Sequence, residues 1–153
     1  MIVTSTKLIE TVRAKFQDLS ANGWNYRGIT REQQEIYRLE MTSDHSAQQF
    51  ECATEYLAQC NRRKTVWKGR TSYGWKHQAE HYFESSGRDP HYVSNGMFVA
   101  AALSLDFVVQ RIPNSPNCFL NISASESYCW RGDGRFLNRR SGKWMTFEEV
   151  YGA

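Results

Sequence analysis

Met97-Phe98-Val99-Ala100-Ala101-Ala102-Leu103, followed by Phe107-Val108-Val109-Gln110-Arg111-Ile112, is the stretch in which the chain changes its period. The first run is apolar on every face, which predicts a buried central helix, capped by Ser94 and running from Met97 to about Asp106. The second run, and Cys118 to Ile122 after it, are rich in strand formers. The intervening Pro113-Asn114-Ser115-Pro116-Asn117 predicts a tight hairpin. Helical periodicity before this point and extended segments after it predict an α+β fold of about five helices packed on a small C-terminal antiparallel sheet. One domain covers residues 1–153, with the helical part at about 4–106 and the strands at about 107–147.

Working back toward the N-terminus, Thr4-Ser5-Thr6 offers hydroxyl caps to a helix whose Leu8, Ile9, Val12, Phe16 and Leu19 share a face, stopped by Asn22-Gly23. Thr30 and Gln33 have capping-box spacing for a helix through Met41, and Phe50, Ala53, Leu57 and Cys60 stripe a third from about Ser46 to Cys60. Residues 61–70 form a polar, basic connector. Thr71 or Ser72 then caps a fourth helix with Trp75, Ala79, Tyr82 and Phe83 inward and Lys76, His77 and Glu80 outward, ended by Gly87-Arg88-Asp89-Pro90. Beyond the hairpin, short strands are predicted at Tyr128–Trp130, Arg135–Asn138 and Lys143–Met145, divided by Gly132-Asp133-Gly134 and Ser141-Gly142. Thr146 with Glu149 caps a last helical turn.

Composition narrows the classes. At 14% aromatic and 41% hydrophobic residues the chain has enough apolar surface to fold, so disorder is not expected. The longest apolar run falls far short of the roughly 20 residues that cross a bilayer, and Met1-Ile2-Val3-Thr4-Ser5 lacks the basic and apolar regions of a signal peptide, so a cytoplasmic protein without membrane contact is expected. Cys52, Cys60, Cys118 and Cys129 have no C-x-x-C spacing and are expected as small buried or near-surface thiols. Arg131-Gly132-Asp133 is expected to be a polar turn.

Two constellations carry candidate chemistry. Residues 61–76 hold six basic and no acidic side chains on a chain whose net charge is only +3. Arg62, Arg63, Lys64, Lys68, Arg70 and Lys76 are interleaved there with Trp67 and Tyr73, and Arg139 and Arg140 form a second basic pair. Cations beside aromatic rings suit phosphates and bases, and equally suit a protein interface, where Arg, Trp and Tyr dominate hot spots. His77-Gln78-Ala79-Glu80-His81 matches H-x-x-E-H, in which two His one turn apart hold zinc and Glu activates water. A catalytic site needs a third ligand, for which Glu148 and Glu149 are the downstream candidates, and the spacing is equally that of two His on the polar side of a helix. No phosphate-binding loop or nucleophile elbow is present, so no enzyme and no cofactor are expected.

Lys64-Thr65-Val66, Thr71-Ser72-Tyr73-Gly74-Trp75-Lys76-His77 with Glu80, Tyr92-Val93-Ser94-Asn95-Gly96, Ala100-Ala101-Ala102-Leu103 and Asn121-Ile122-Ser123 resemble a group of small bacterial proteins encoded on phages, plasmids and integrated elements. The resemblance runs from Arg63 to Ser123, about two-fifths of the chain. That family usually has an aliphatic residue at Trp75 and Gly at Asp106, and does not generally keep His81. The resemblance implies an inhibitor of bacterial host defence, anti-CRISPR proteins among them, whose partner is a defence protein or CRISPR nucleoprotein complex in the cytoplasm of the host cell. The alternative expectation is a small nucleic-acid-binding module using residues 62–76.

Overall fold

In the computed structural model, which describes residues 4–130, 135–138 and 141–152, everything is arranged around helix α5 (Asn95–Ser104). Met97 to Ala102 are buried on all sides, as a helix apolar all round requires. Three helices pack against it: α1 (Ser5–Lys15), α3 (Asp44–Gln59) and α4 (Ser72–Ser85). They contribute Ile9 and Val12, Phe50, Ala53 and Leu57, and Trp75, Ala79 and Phe83 to the same core. Ser94 caps α5 by accepting from Met97 N–H at 3.2 Å. Among the described residues, no helix is long and apolar enough to cross a membrane.

The N-terminus of α5 is riveted to a small hairpin. The first helix does not continue to Leu19: it ends at Lys15, and Leu19–Ser20 (β1) pairs antiparallel with Gly23–Trp24 (β2). Leu19 still reaches the core, but from a strand, because the backbone must turn there to meet α5. Gly96 N–H donates to Ala21 O at 3.0 Å, and a Cβ at Gly96 would sit 1.7 Å from Ser20 O. The Asn95 amide donates to Asn22 O, Pro116 O and Asn117 Oδ1, joining this hairpin to the Pro113–Asn117 turn. At its other end α5 stops in a left-handed residue, Asp106 with φ +61°. Asp106 N–H reaches Leu103 O and Phe107 N–H reaches Ala102 O, the paired bonds of a Schellman cap. A left-handed position is one that glycine fills without the steric cost an aspartate bears.

The strands are distributed differently from a single C-terminal sheet. The Arg62–Trp67 segment, expected as a connector, is strand β3, and it pairs with β5 (Cys118–Ile122), which also pairs with β4 (Val109–Arg111). The β3–β5 register is irregular, with Arg62 opposite Ile122 but Trp67 opposite Leu120. Asn121 bridges the irregularity: its Oδ1 accepts from Val108 N–H and its amide donates to Arg63 O, both at 2.8 Å. A separate meander follows, β6 (Tyr128–Trp130), β7 (Arg135–Asn138) and β8 (Trp144–Thr146), leading into α6 (Phe147–Tyr151) through the Thr146–Glu149 capping box. Helix α2 (Arg31–Glu40) carries the capping box expected at Thr30 and Gln33. The turns expected at Arg131-Gly132-Asp133 and Gly132-Asp133-Gly134 lie outside the described residues.

Cys52, Cys60 and Cys118 are free and buried. Burial, with the Glu126 charge adding to it, pushes the Cys60 thiol up to about 12, so it stays protonated.

Two substitutions test this scaffold in opposite directions. Gly96→Ala should lower stability by roughly 1–3 kcal/mol, because the hairpin backbone must shift to admit the methyl group. Asp106→Gly should raise it by about 0.5–1 kcal/mol by relieving a left-handed non-glycine residue. Urea denaturation followed by circular dichroism measures both.

Candidate functional site

The residues singled out in the sequence divide into two groups in space. Arg62, Arg63, Lys64 and Thr65 are all exposed on β3, an edge of its three-stranded sheet, and Lys68 is exposed in the turn that follows. Four consecutive exposed residues mean that this part of the strand shows both faces to solvent. The Arg62 guanidinium lies 3.8 Å from the centroid of the Phe107 ring, which fixes its stem along the sheet.

The remaining members of the basic stretch are used by the fold. Trp67 packs against Trp75 at 5.9 Å and covers Gly69, where a Cβ would lie 2.2 Å from the indole. Its ring is therefore part of the core margin and not an open stacking platform. Arg70 donates to Gly74 O, Gln78 Oε1 and Tyr128 O, so it works as a clamp between the start of α4 and β6. Arg139 and Arg140 lie outside the described residues.

Lys76 overturns the outward placement expected for its face of α4. It is only 4% exposed and Glu80 only 9%. The ammonium sits 3.4 Å from Glu80 and between two rings, 5.1 Å from the Tyr73 centroid and 4.8 Å from that of Tyr92. Glu80 also accepts from Val93 N–H at 3.1 Å and faces His77 Nδ1 at 2.8 Å. The carboxylate thus ties α4 to the segment that opens α5. Tyr73 and Tyr92, which cover the lysine, are themselves 50% and 56% exposed. The rings stand at the surface on a charged pivot that is held from below. A desolvated cation needs its partner and its rings together, which is why Tyr73, Lys76, Glu80 and Tyr92 form one unit although Tyr92 is remote in sequence. Tyr92 is not among the site residues to which the sequence points; its one signal there is its place at the head of Tyr92-Val93-Ser94-Asn95-Gly96.

The two histidines of the H-x-x-E-H match turn toward carboxylates on their own helix, His77 Nδ1 to Glu80 and His81 Nδ1 to Glu84 at 3.7 Å. Glu149, one candidate third ligand, is occupied in the α6 capping box. Among the described residues no group of three or more His, Cys, Asp or Glu side chains is placed to hold a metal ion. Burial holds the His81 imidazole below its ordinary 6.5, against the opposing pull of Glu84 and Glu80.

Removing either member of the buried pair should have unequal effects. Glu80→Leu leaves Lys76 charged and buried without its counter-ion and should cost about 3–5 kcal/mol. Lys76→Met leaves the carboxylate with His77 and the Val93 N–H and should cost clearly less; equal losses in urea melts would show that the pair is not the pivot. For His81, the unfolded chain takes up a proton near 6.5 while the folded chain resists until lower pH. The contribution is therefore complete above that value and is lost as pH falls through it, and His81→Gln should flatten the decline in melting temperature between about pH 7 and pH 5.

Comparison with protein-family models, with curated proteins and with solved structures found no match to the chain.

Proposed function

We propose that this protein acts by stoichiometric binding, as a non-enzymatic inhibitor of a bacterial defence complex, a CRISPR-Cas effector being the target class, with β3 and the turn after it as the contact surface. The observation that supports this reading is the run of exposed cations Arg62, Arg63 and Lys64 on a sheet edge and Lys68 in the turn after it, in a stretch with no acidic side chain. Such a surface meets a polyanionic partner, and an effector of this class presents phosphate along its guide and target strands. The resemblance to proteins borne on phages and plasmids supplies the setting. Exposed tyrosines near the start of α4 add the residue type that dominates protein interfaces.

The same four cations favour a second reading, direct binding of nucleic acid without a protein target. Contacts to about four phosphates would weaken affinity roughly 50- to 150-fold between 50 and 200 mM salt. Trp67 plays no stacking part in either reading, and Trp67→Ala should report on folding.

The two are separated by one pair of measurements. Size-exclusion chromatography with purified CRISPR effector complexes should show co-elution that Arg62→Glu/Arg63→Glu/Lys64→Glu abolishes, with phage plating on CRISPR-active hosts restored to the uninhibited level by the same triple change. If the protein co-elutes with no effector and leaves plating unchanged, while shifting free RNA or DNA with the steep salt dependence above, the inhibitor reading is wrong and the second stands.

A further inference from the structure

Strand β3 is too long for the partner it has. Arg62 stands opposite Ile122 and Trp67 opposite Leu120, so five steps of β3 are matched to two of β5. At about 3.4 Å per step an extended chain covers roughly 17 Å on one side and roughly 7 Å on the other, and the excess has to bow out of the sheet. The residues that bow out are Arg63, Lys64, Thr65 and Val66, the first three exposed and Val66 half-buried. Asn121, which is buried, is the one residue of β5 across from all four. Its side chain donates to Arg63 O and accepts from Val108 N–H, while its own N–H is spent on Val108 O at 3.2 Å. The bulge is therefore pinned at its root.

The fold leaves both kinds of donor in this bulge unused. Asn121 can offer the four amides little more than its carbonyl, and among the described residues no side chain or loop takes up the N–H groups of Arg63–Val66. The side chains are likewise uncompensated: Arg62, Arg63, Lys64 and Lys68 form no ion pair among the described residues. Arg111 on the other edge of the same sheet differs, being bound to Asp18. The Phe107 ring restrains the Arg62 guanidinium without neutralising its charge.

Such an edge refuses one kind of partner and suits another. Strand addition needs amides and carbonyls at the regular repeat of a sheet, and a buckle of this size with consecutive like charges removes that row. Unpaired N–H groups beside guanidinium and ammonium groups are the donors that hold phosphate oxygens. Trp67, at the end of the bulge, is packed on Trp75 and offers no face to a base. We propose that Arg63–Val66 is a phosphate-binding bulge, its amides and the cations of Arg62, Arg63 and Lys64 gripping the phosphodiester backbone of a nucleic-acid strand without reading its bases. This deepens the inhibitor reading and rests on it for the identity of the complex: the effector is engaged through its nucleic acid, in the loaded state, and not through a strand edge of its protein.

Amide correlation spectra of the full chain at about 50 mM salt test this with two probes, inorganic phosphate and oligonucleotides of dT or dA about 12 nucleotides long. Both probes should move the amides of residues 63–66. The oligonucleotides should bind roughly tenfold or more tightly than free phosphate, because several phosphates are held at once, and dT and dA should bind alike. Thr65→Pro removes one amide and no charge; it should weaken oligonucleotide binding roughly tenfold and leave the salt dependence as it was. Arg62→Gln/Arg63→Gln/Lys64→Gln should instead lower the slope of log affinity against log salt by about 2. Where Thr65→Pro fails to fold, the spectra of the unaltered chain decide. Unmoved amides at residues 63–66, a folded Thr65→Pro protein that binds undiminished, or a strong preference between dT and dA would each overturn the proposal, and the bulge would then serve only to blunt the edge. In size-exclusion chromatography the protein should co-elute with the guide-loaded effector and not with the RNA-free effector protein. Co-elution with both overturns this proposal and leaves the inhibitor reading standing, whereas amide shifts without any co-elution uphold the bulge and overturn the inhibitor reading.

Discussion

The Gln78 carboxamide uses both of its donors and both of its acceptor positions at once, and the start of the C-terminal meander hangs from it. Its nitrogen donates to the Tyr56 hydroxyl and to the Glu126 carbonyl, while its oxygen accepts from Tyr128 N–H at 2.8 Å and from Arg70 at 3.0 Å. One buried side chain on α4 thereby holds α3, the start of its own helix, the 3-10 turn Ala124–Glu126 and the first strand of the meander. A buried amide is costly unless every position is filled, so these four contacts must form together or not at all. That requirement fixes which face of α4 turns inward, and with it the burial of Lys76 and Glu80 on the neighbouring turns.

Parts of this arrangement are readable from residues alone. Cys118–Ile122, Tyr128–Trp130 and Arg135–Asn138 alternate or run apolar between turn residues, and their strands have those bounds. The hydroxyl caps at Thr30, Ser94 and Thr146 are local chemistry and are found where the sequence puts them. Strand β3 is not readable in this way, because an edge exposed on both faces carries no period-two pattern and its charges look like those of a loop. The end of α1 is hidden for a related reason: Leu19 continues the helical stripe in sequence but enters the core from a hairpin that only the close approach of Gly96 explains.

The candidate site is legible in outline and not in role. Exposed cations at Arg62, Arg63, Lys64 and Lys68 follow from composition, whereas Trp67, Arg70 and Lys76 belong to the same run and have been taken up by packing, a clamp and a buried pair. Nothing local distinguishes them. The ammonium of Lys76 is sheltered by Tyr92, which lies in the next connection, and a charge is buried only where tertiary partners make that tolerable. A contiguous basic stretch is thus a poor guide to a contiguous basic surface.

The way α2 is fastened has a dynamic consequence. Its links to the body are hydrogen bonds, from Arg38 and Gln34 to carbonyls of residues 13–19 and from Ala21 N–H to Tyr37 O, with no buried apolar side chain of its own. Water can replace such bonds one by one, whereas the packed faces of α3 and α5 can separate only when the core opens. Residues 31–40 are therefore expected to exchange their amide protons through local opening, well ahead of global unfolding, while the packed helices stay closed.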